Sequence, residues 1–141
     1  MGFIHDAYDA VPPAPGAQAL IARARKAGWR IAVVTSGRED IAGRWLERTG
    51  LASDVDLLVG AGSVLRHKPD PEPYRHALKR TGCAASLSAA VEDSPRGIVA
   101  AHGAGLTVFA LRSPLHPTLD VPSGVRRVER LDQVERALFD V

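Results

Sequence analysis

The sequence predicts an α/β fold: a Rossmann-like three-layer sandwich built around a mainly parallel sheet. Short apolar, β-branched runs alternate with longer segments of helical periodicity, and the connections are long enough for right-handed crossovers. The chain has 141 residues, of which 45% are hydrophobic and 24% charged, which suits one globular domain. We therefore predict a single domain over residues 1–141.

Five segments carry helix signals. The first, Ala17 to Ala27, is rich in Ala and Arg, opens behind a Pro-Gly pair and stops at Gly28. A later one has Pro95 in its first turn, where the missing N–H costs nothing. In chain order, the predicted helices are 17–27, 39–48, 72–81, 94–104 and 131–139.

Four short apolar runs are predicted to be strands. The run from Arg30 to Val34 is β-branched and nearly all apolar, which is typical of a strand buried on both faces. The others are 56–59, 89–91 and 107–111. Residues 1–15 are predicted to be a linker, and 112–124, which contain three prolines, a surface loop.

Charge and composition exclude several classes of protein. Eighteen basic and 16 acidic residues leave a net charge of +2 without a concentrated basic patch, which argues against a nucleic-acid partner. No apolar stretch approaches the roughly 18 residues that a membrane span needs, and the N-terminus has no signal-peptide pattern. A single cysteine, Cys83, cannot form an internal disulfide. We expect a soluble, cytoplasmic protein.

The first candidate site motif is Thr35-Ser36-Gly37, directly after the strand that ends at Val34. Ligands of open parallel sheets bind beyond the carboxyl ends of the strands. Hydroxyls and free backbone N–H groups at the start of a helix can bind an anion. We predict that these three residues bind phosphate; plain N-capping of the helix is the alternative.

The second motif, His67 to Tyr74, has three prolines in five residues, which fix the backbone around Lys68. Three of the 18 basic residues are lysines and the others are arginines, so a lysine here indicates that a compact point charge is needed. A phosphate and a carboxylate would both suit such a charge. The alternative is a solvated loop lysine.

The third motif places Glu92 and Asp93 between an apolar strand and the start of a helix. Mg²⁺ binds through one or two carboxylates and keeps several waters, so this pair predicts a partial Mg²⁺ site. In the alternative, Asp93 or Ser94 caps the helix and Glu92 is solvated.

Together the motifs resemble those of the haloacid dehalogenase superfamily. T-S-G, K-P-x-P-x-x-Y, V-E-D-S-P-x-G-I and a downstream A-x-G-A-G-L occur in that order, and the likeness runs from about Val11 to Leu111. The branch with phosphoglycolate phosphatases and β-phosphoglucomutases is the most similar. The resemblance implies a Mg²⁺-dependent phosphohydrolase core acting on a small phosphorylated metabolite.

The resemblance also implies a role for each site residue. The Thr35 hydroxyl and the Ser36 backbone would hold the phosphoryl oxygens, with Gly37 in the same turn. Lys68 would neutralise the phosphate and orient the nucleophile, so Thr35 and Lys68 are the catalytic candidates. Glu92 and Asp93 would complete the Mg²⁺ shell.

One family motif is absent from the sequence: D-x-D-G-[TV], whose first Asp attacks phosphorus. The nearest candidate nucleophile is Asp6, but only two apolar residues precede its His-Asp pair, few for a central strand of about five or six. The favoured interpretation makes 1–15 the segment that leaves the cap and re-enters the core. The first strand and the cap would then be missing, and activity would be impaired or incomplete.

A missing first strand would leave a central position of the sheet empty, with unpaired backbone groups on both neighbours. The N-terminal segment itself, a symmetry mate or a partner chain could fill it, so we predict self-association or a partner chain. Two further hypotheses stay open. One is a non-catalytic phosphate- or metabolite-binding module that completes a partner. The other is a receiver-like domain with Asp93 as phosphoacceptor, against which the K-P-x-P motif argues.

Overall fold

The structure is a computed structural model that describes residues 2–3 and 12–140 of the chain. Six strands, five α-helices and two short 3₁₀ turns follow one another in this part of the chain. In order, they are β1 (Gly2–Phe3), α1 (Ala17–Lys26), β2 (Ala32–Val34), α2 (Glu39–Arg48), a 3₁₀ turn (Ala52–Asp54), β3 (Leu57–Val59), α3 (Glu72–Thr81), a 3₁₀ turn (Ala85–Leu87), β4 (Ala89–Glu92), α4 (Pro95–Gly103), β5 (Thr107–Leu111), β6 (Arg126–Val128) and α5 (Leu131–Phe139).

The strands form one parallel sheet in the order β3-β2-β1-β4-β5-β6. In its register, Phe3 lies opposite Val33 on one side and Val91 on the other. Every connection between these parallel strands passes through a crossover, as the alternation of apolar runs and helices predicts. The predicted α/β three-layer class is confirmed.

Helices cover both faces of the sheet and bury a hydrophobic core on each. Side chains of successive strand residues point to opposite faces, so Val33 packs under α1, α2 and α5, whereas Val34 packs under α3 and α4. Val91 and Val108 divide between the two cores in the same way. Strands buried on both faces explain why the apolar runs in the sequence are nearly continuous.

The centre of the sheet corrects one part of the sequence argument. Gly2–Phe3, which lie inside the predicted linker, form β1 between β2 and β4. The N-terminal segment itself, one of the three candidates named above, therefore holds the central position. Both neighbouring strands supply backbone partners for these two residues.

The predicted boundaries differ from the observed ones by at most two residues for every predicted helix and strand. Besides β1, the prediction missed β6, which is three residues long with Arg126 and Arg127 exposed at the edge of the sheet. The predicted surface loop, 112–124, contains neither helix nor strand. It connects β5 to β6.

Candidate functional site

The predicted site residues come from three separate segments that meet at the carboxyl edge of the sheet. Thr35 follows β2, Glu92 ends β4, and Lys68 lies in the loop between β3 and α3. Hydrogen bonds connect Lys68 to both strands. Because β2 and β4 flank the central strand, these side chains surround the carboxyl end of β1.

The Thr35–Gly37 turn is anchored to the sheet by its first residue. Thr35 is buried, and its amide donates to the carbonyl of Val59 at 2.9 Å. Its Oγ1 accepts a hydrogen bond from the Gly37 amide at 3.1 Å, whereas Ser36 and Gly37 are exposed. The N-cap of α2 is Arg38, so neither Thr35 nor Ser36 serves as the cap that the alternative interpretation required.

Lys68 is a buried residue, 6% exposed, and not the solvated loop lysine of the alternative interpretation. Its Nζ donates to the carbonyl of Val34 and to Oε1 of Glu92, both at 2.9 Å. The ammonium also lies 5.3 Å from the centroid of the Tyr74 ring, within range of a cation–π contact. The proline-rich loop therefore brings one positive charge between the ends of β2 and β4.

Tyr74 is a site residue to which the sequence argument gave no role. Its ring is 1% exposed, and its hydroxyl donates to the same Glu92 Oε1 that Lys68 contacts. Burial, followed by the charge of Glu92, raises the pKa of Tyr74 well above its usual value. The hydroxyl thus stays protonated and remains a donor. Its position at the end of the K-P-x-P-x-x-Y motif is the sequence feature that could have identified Tyr74 as a site residue.

Glu92 is also buried, at 1% exposure, which rules out the solvated alternative for this residue. Desolvation raises its pKa to about 7, although the Lys68 ammonium and the Tyr74 hydroxyl act in the opposite direction. Its carboxylate lies against the backbone of Gly97 in α4, where a Cβ would come within 2.1 Å of Oε2. Ser94 caps α4 by accepting from the Gly97 amide at 3.2 Å, as the alternative interpretation allowed.

The donor set fits a partial Mg²⁺ site. Oε2 of Glu92 is buried and makes no hydrogen bond with any described residue. Asp93, the next residue, is half-buried. One unpartnered carboxylate oxygen beside a second carboxylate suits a hard cation that takes its remaining ligands from water or substrate. Residues 2–3 and 12–140 contain no group of three His, Cys, Asp or Glu side chains that could enclose a metal by themselves.

Asp6, the candidate nucleophile, lies outside the described residues.

A cavity of about 700 Å³ opens beside Asp93, between the ends of β4 and β5 and the start of α5. Apolar side chains, including Leu111, Leu115 and Leu131, form much of its wall. Among the described residues, the cavity adjoins the site on the side toward β5. None of the described helices is both long and apolar enough to cross a membrane.

Comparisons with known proteins agree with this fold. The family described as haloacid dehalogenase-like hydrolase matches residues 3–111. The chain is 38% identical over 98 residues to a phosphoglycolate phosphatase of Cupriavidus necator, covering 70% of this chain and 42% of the relative. It is 37% identical over 111 residues to a validoxylamine A 7'-phosphate phosphatase of Streptomyces hygroscopicus, covering 74% and 52%.

Among solved structures, the chain is similar to CbbY from Rhodobacter sphaeroides in complex with phosphate, with a TM-score of 0.80 and 28% identity. The match covers 86% of this chain and 55% of that one. The protein belongs to the haloacid dehalogenase-like hydrolase family. It spans about half the length of the curated relatives it matches.

Proposed function

We propose that this chain is a phosphohydrolase core that acts on a small phosphorylated metabolite with Mg²⁺. The observation that carries the proposal is the buried Lys68 ammonium, held between the Val34 carbonyl and the Glu92 carboxylate. A lysine is seldom buried unless it is paired, and this one is paired at the sheet edge where ligands of α/β folds bind. Its charge suits a phosphate anion.

The Thr35–Gly37 turn would hold the phosphoryl oxygens. Oγ1 of Thr35 accepts a hydrogen bond from Gly37, which leaves the proton of the hydroxyl to be donated to an anion. Ser36 is exposed in the same turn, and its backbone amide would be a second donor to the phosphoryl oxygens. Such donors stabilise developing charge because they are already oriented before the substrate arrives.

Lys68 would neutralise the transferring phosphoryl group. Phosphoryl transfer depends mainly on positioning and charge neutralisation, and a charge in a site of low dielectric acts more strongly than one in water. Glu92 and Tyr74 keep the ammonium in place: the first is its counterion, and the second donates to the same carboxylate oxygen. We assign Lys68 and Thr35 as catalytic residues.

Asp93 and Oε2 of Glu92 would hold the Mg²⁺. When bound, the ion would supply positive charge to the phosphoryl oxygens and help to orient them. Oε1 of Glu92 faces Lys68 and Tyr74, so Glu92 can offer the ion one oxygen and Asp93 must supply the other protein ligand. The remaining ligands would come from water and substrate.

Asp6 is the candidate nucleophile because it follows β1, whose carboxyl end lies between those of β2 and β4. The two relatives reported above are named as phosphatases of phosphoglycolate and of validoxylamine A 7'-phosphate. Their names support a phosphate monoester as the substrate class. Since the sequence has no D-x-D-G, we propose that turnover by this chain alone is impaired.

The test is phosphate release from 2-phosphoglycolate and p-nitrophenyl phosphate, with Mg²⁺ and with a chelator in its place. We expect slow, Mg²⁺-dependent release that Asp6→Asn abolishes and the nearby Asp9→Asn does not. Release that survives both substitutions and Lys68→Ala would overturn the assignment of these residues.

A second function is a phosphate-binding module without turnover, completed by a partner. It is favoured by the absence of D-x-D-G from the sequence. Calorimetry would then show binding of inorganic phosphate in a protein that releases none from either ester. Absence of phosphate binding would exclude this function.

A further inference from the structure

We propose that Glu39, the first residue of α2, is a positioning residue for the phosphate site. It holds the loop of residues 60–68, here called the lysine loop, against the start of α2. The loop ends in Lys68, and α2 begins just after the Thr35–Gly37 turn. That the positioned residues bind phosphate rests on the proposed function. That Glu39 holds the loop rests on the hydrogen bonds described next.

The Glu39 carboxylate binds the lysine loop through two donors. Its Oε1 accepts from the Gly62 amide at 2.7 Å and from the Ser63 hydroxyl at 2.9 Å. Ser63 Oγ in turn accepts from the Gly60 amide at 3.0 Å, so one carboxylate oxygen organises the first four residues of the loop. Hydrogen bonds to an ionised acceptor are about twice as strong as neutral ones.

The backbone of the loop is shaped to receive this side chain. A Cβ on Gly60 would lie 2.7 Å from both Cγ and Cδ of Glu39, so only a glycine allows the close approach. A hydrogen bond from its own backbone amide, followed by those from Ser63 and Gly62, keeps the pKa of Glu39 below its usual value despite some desolvation. The carboxylate is therefore ionised at neutral pH and accepts all of these bonds.

The same loop is tied directly to the phosphate turn. The Ala61 amide donates to the carbonyl of Gly37 at 2.8 Å, next to the Gly37 amide that binds Thr35 Oγ1. At the far end of the loop, the Arg66 amide donates to Glu72, the first residue of α3. Carboxylates from two helix starts thus fasten the loop on either side of its exposed tip, Leu65. Lys68 follows two residues after the second fastening.

These contacts couple the two halves of the proposed phosphate site. If the Glu39 contacts are lost, the Gly60–Ser63 stretch loses its main anchor, and the Ala61–Gly37 bond loses its support. Displacements of about 1 Å in a catalytic constellation can cost on the order of 100-fold in rate. Glu39 thereby acts on Thr35 and Lys68 through the loop.

Asp40 provides a matched control within the same helical turn. It carries the same charge at the same end of α2, but its carboxylate pairs with Arg38 at 2.8 Å and has no contact with the loop among the described residues. Asp40→Ala therefore removes an equal charge from the helix N-terminus and leaves the lysine loop untouched.

The experiment compares Glu39→Ala, Glu39→Gln and Asp40→Ala in three measurements: amide hydrogen exchange over 60–68, acylation of Lys68 by an amine-reactive reagent, and calorimetric affinity for inorganic phosphate. For Glu39→Ala, we expect exchange and acylation about tenfold faster and phosphate affinity about tenfold weaker, roughly the loss of one charged hydrogen bond. Gln can accept from Gly62 and donate to Ser63 but lacks the charge that strengthens these bonds, so Glu39→Gln should restore part of each effect, to within about threefold of the wild type.

Equal behaviour of Glu39→Ala and Asp40→Ala in exchange and acylation would overturn the positioning role. A wild-type protein that binds no phosphate would contradict the proposed function instead, and exchange and acylation would still decide whether Glu39 holds the loop. If phosphate binds and Glu39→Ala loosens the loop without weakening phosphate binding, Glu39 is only a structural residue and the inference fails.

Discussion

Lys68 and Glu92 form a buried ion pair in which each side chain is at most 5% exposed. Pairs of this kind contribute little net stability, but removing one member leaves an uncompensated charge that costs roughly 3–5 kcal/mol. Glu92 can escape part of that cost by binding a proton, because its pKa is already raised to about 7. The penalty for losing Lys68 should therefore depend on pH.

Lys68→Ala is expected to lower the free energy of unfolding by about 3 kcal/mol at pH 8 and by less at pH 6. The folded-state pKa of Glu92, about 7, lies above the usual 4.5 of a glutamate, so the stability from proton uptake is present below pH 4.5 and lost as pH rises through 7. Without Lys68 the pKa of Glu92 rises further, so the variant continues to lose stability above pH 7. The penalty thus grows with pH.

Urea denaturation at pH 6, 7 and 8 measures this trend. Lys79→Ala is the control, because Lys79 is exposed in the last turn of α3 and should change stability by no more than about 0.5 kcal/mol. A penalty for Lys68→Ala that is flat or falls with pH would contradict the assignment of Glu92 as its buried counterion.

At the scale of elements, α4 packs on β4 through a glycine. Gly97 lies against the Glu92 carboxylate, and a Cβ there would approach the carboxylate to 2.1 Å. Gly103, at the other end of the same helix, has room, since its Cβ would meet Pro71 at an ordinary 3.5 Å. The two glycines of α4 therefore make a matched pair.

Gly97→Ala is expected to destabilise the protein by about 2 kcal/mol through overpacking, although alanine is the better helix former. Gly103→Ala should be neutral or stabilising by up to about 1 kcal/mol. Thermal unfolding of both variants provides the measurement. Equal melting temperatures would show that Glu92 does not occupy the space beneath α4.

The elements also show what could be predicted from the sequence. Segments with strong periodicity, such as α2 and α3, begin and end at the predicted residues. β1 and β6 were missed because two or three residues carry no period, and their strand conformation comes from pairing with β2, β4 and β5. The sequence pattern identifies a helix or strand only when that element is long enough for its apolar residues to show a period.

Some of the site residues could be predicted from the sequence and others could not. Thr35, Lys68 and Glu92 stand directly after strands or in a motif, so their meeting followed from the parallel sheet. Tyr74 and Glu39 act through partners 18 and 23 residues away, and no pattern in the sequence links such pairs. Contacts between side chains of different elements required the three-dimensional structure.

At the scale of the whole molecule, self-association stays a prediction, although β1 now holds the central position of the sheet. Sedimentation velocity at tens of micromolar should show species larger than the 15.0 kDa monomer. A single monomeric species that is fully folded at all concentrations would contradict it.

The central claim is that the ends of β2 and β4, with Lys68 between them, form a phosphate site. Calorimetric titration of the protein with inorganic phosphate, in the presence of Mg²⁺, tests it most directly. We predict one site per chain, weakened at least about tenfold by Thr35→Val, which keeps the shape of the side chain and removes its hydroxyl. No phosphate binding by the wild-type chain, or equal affinity in Thr35→Val, would contradict the account.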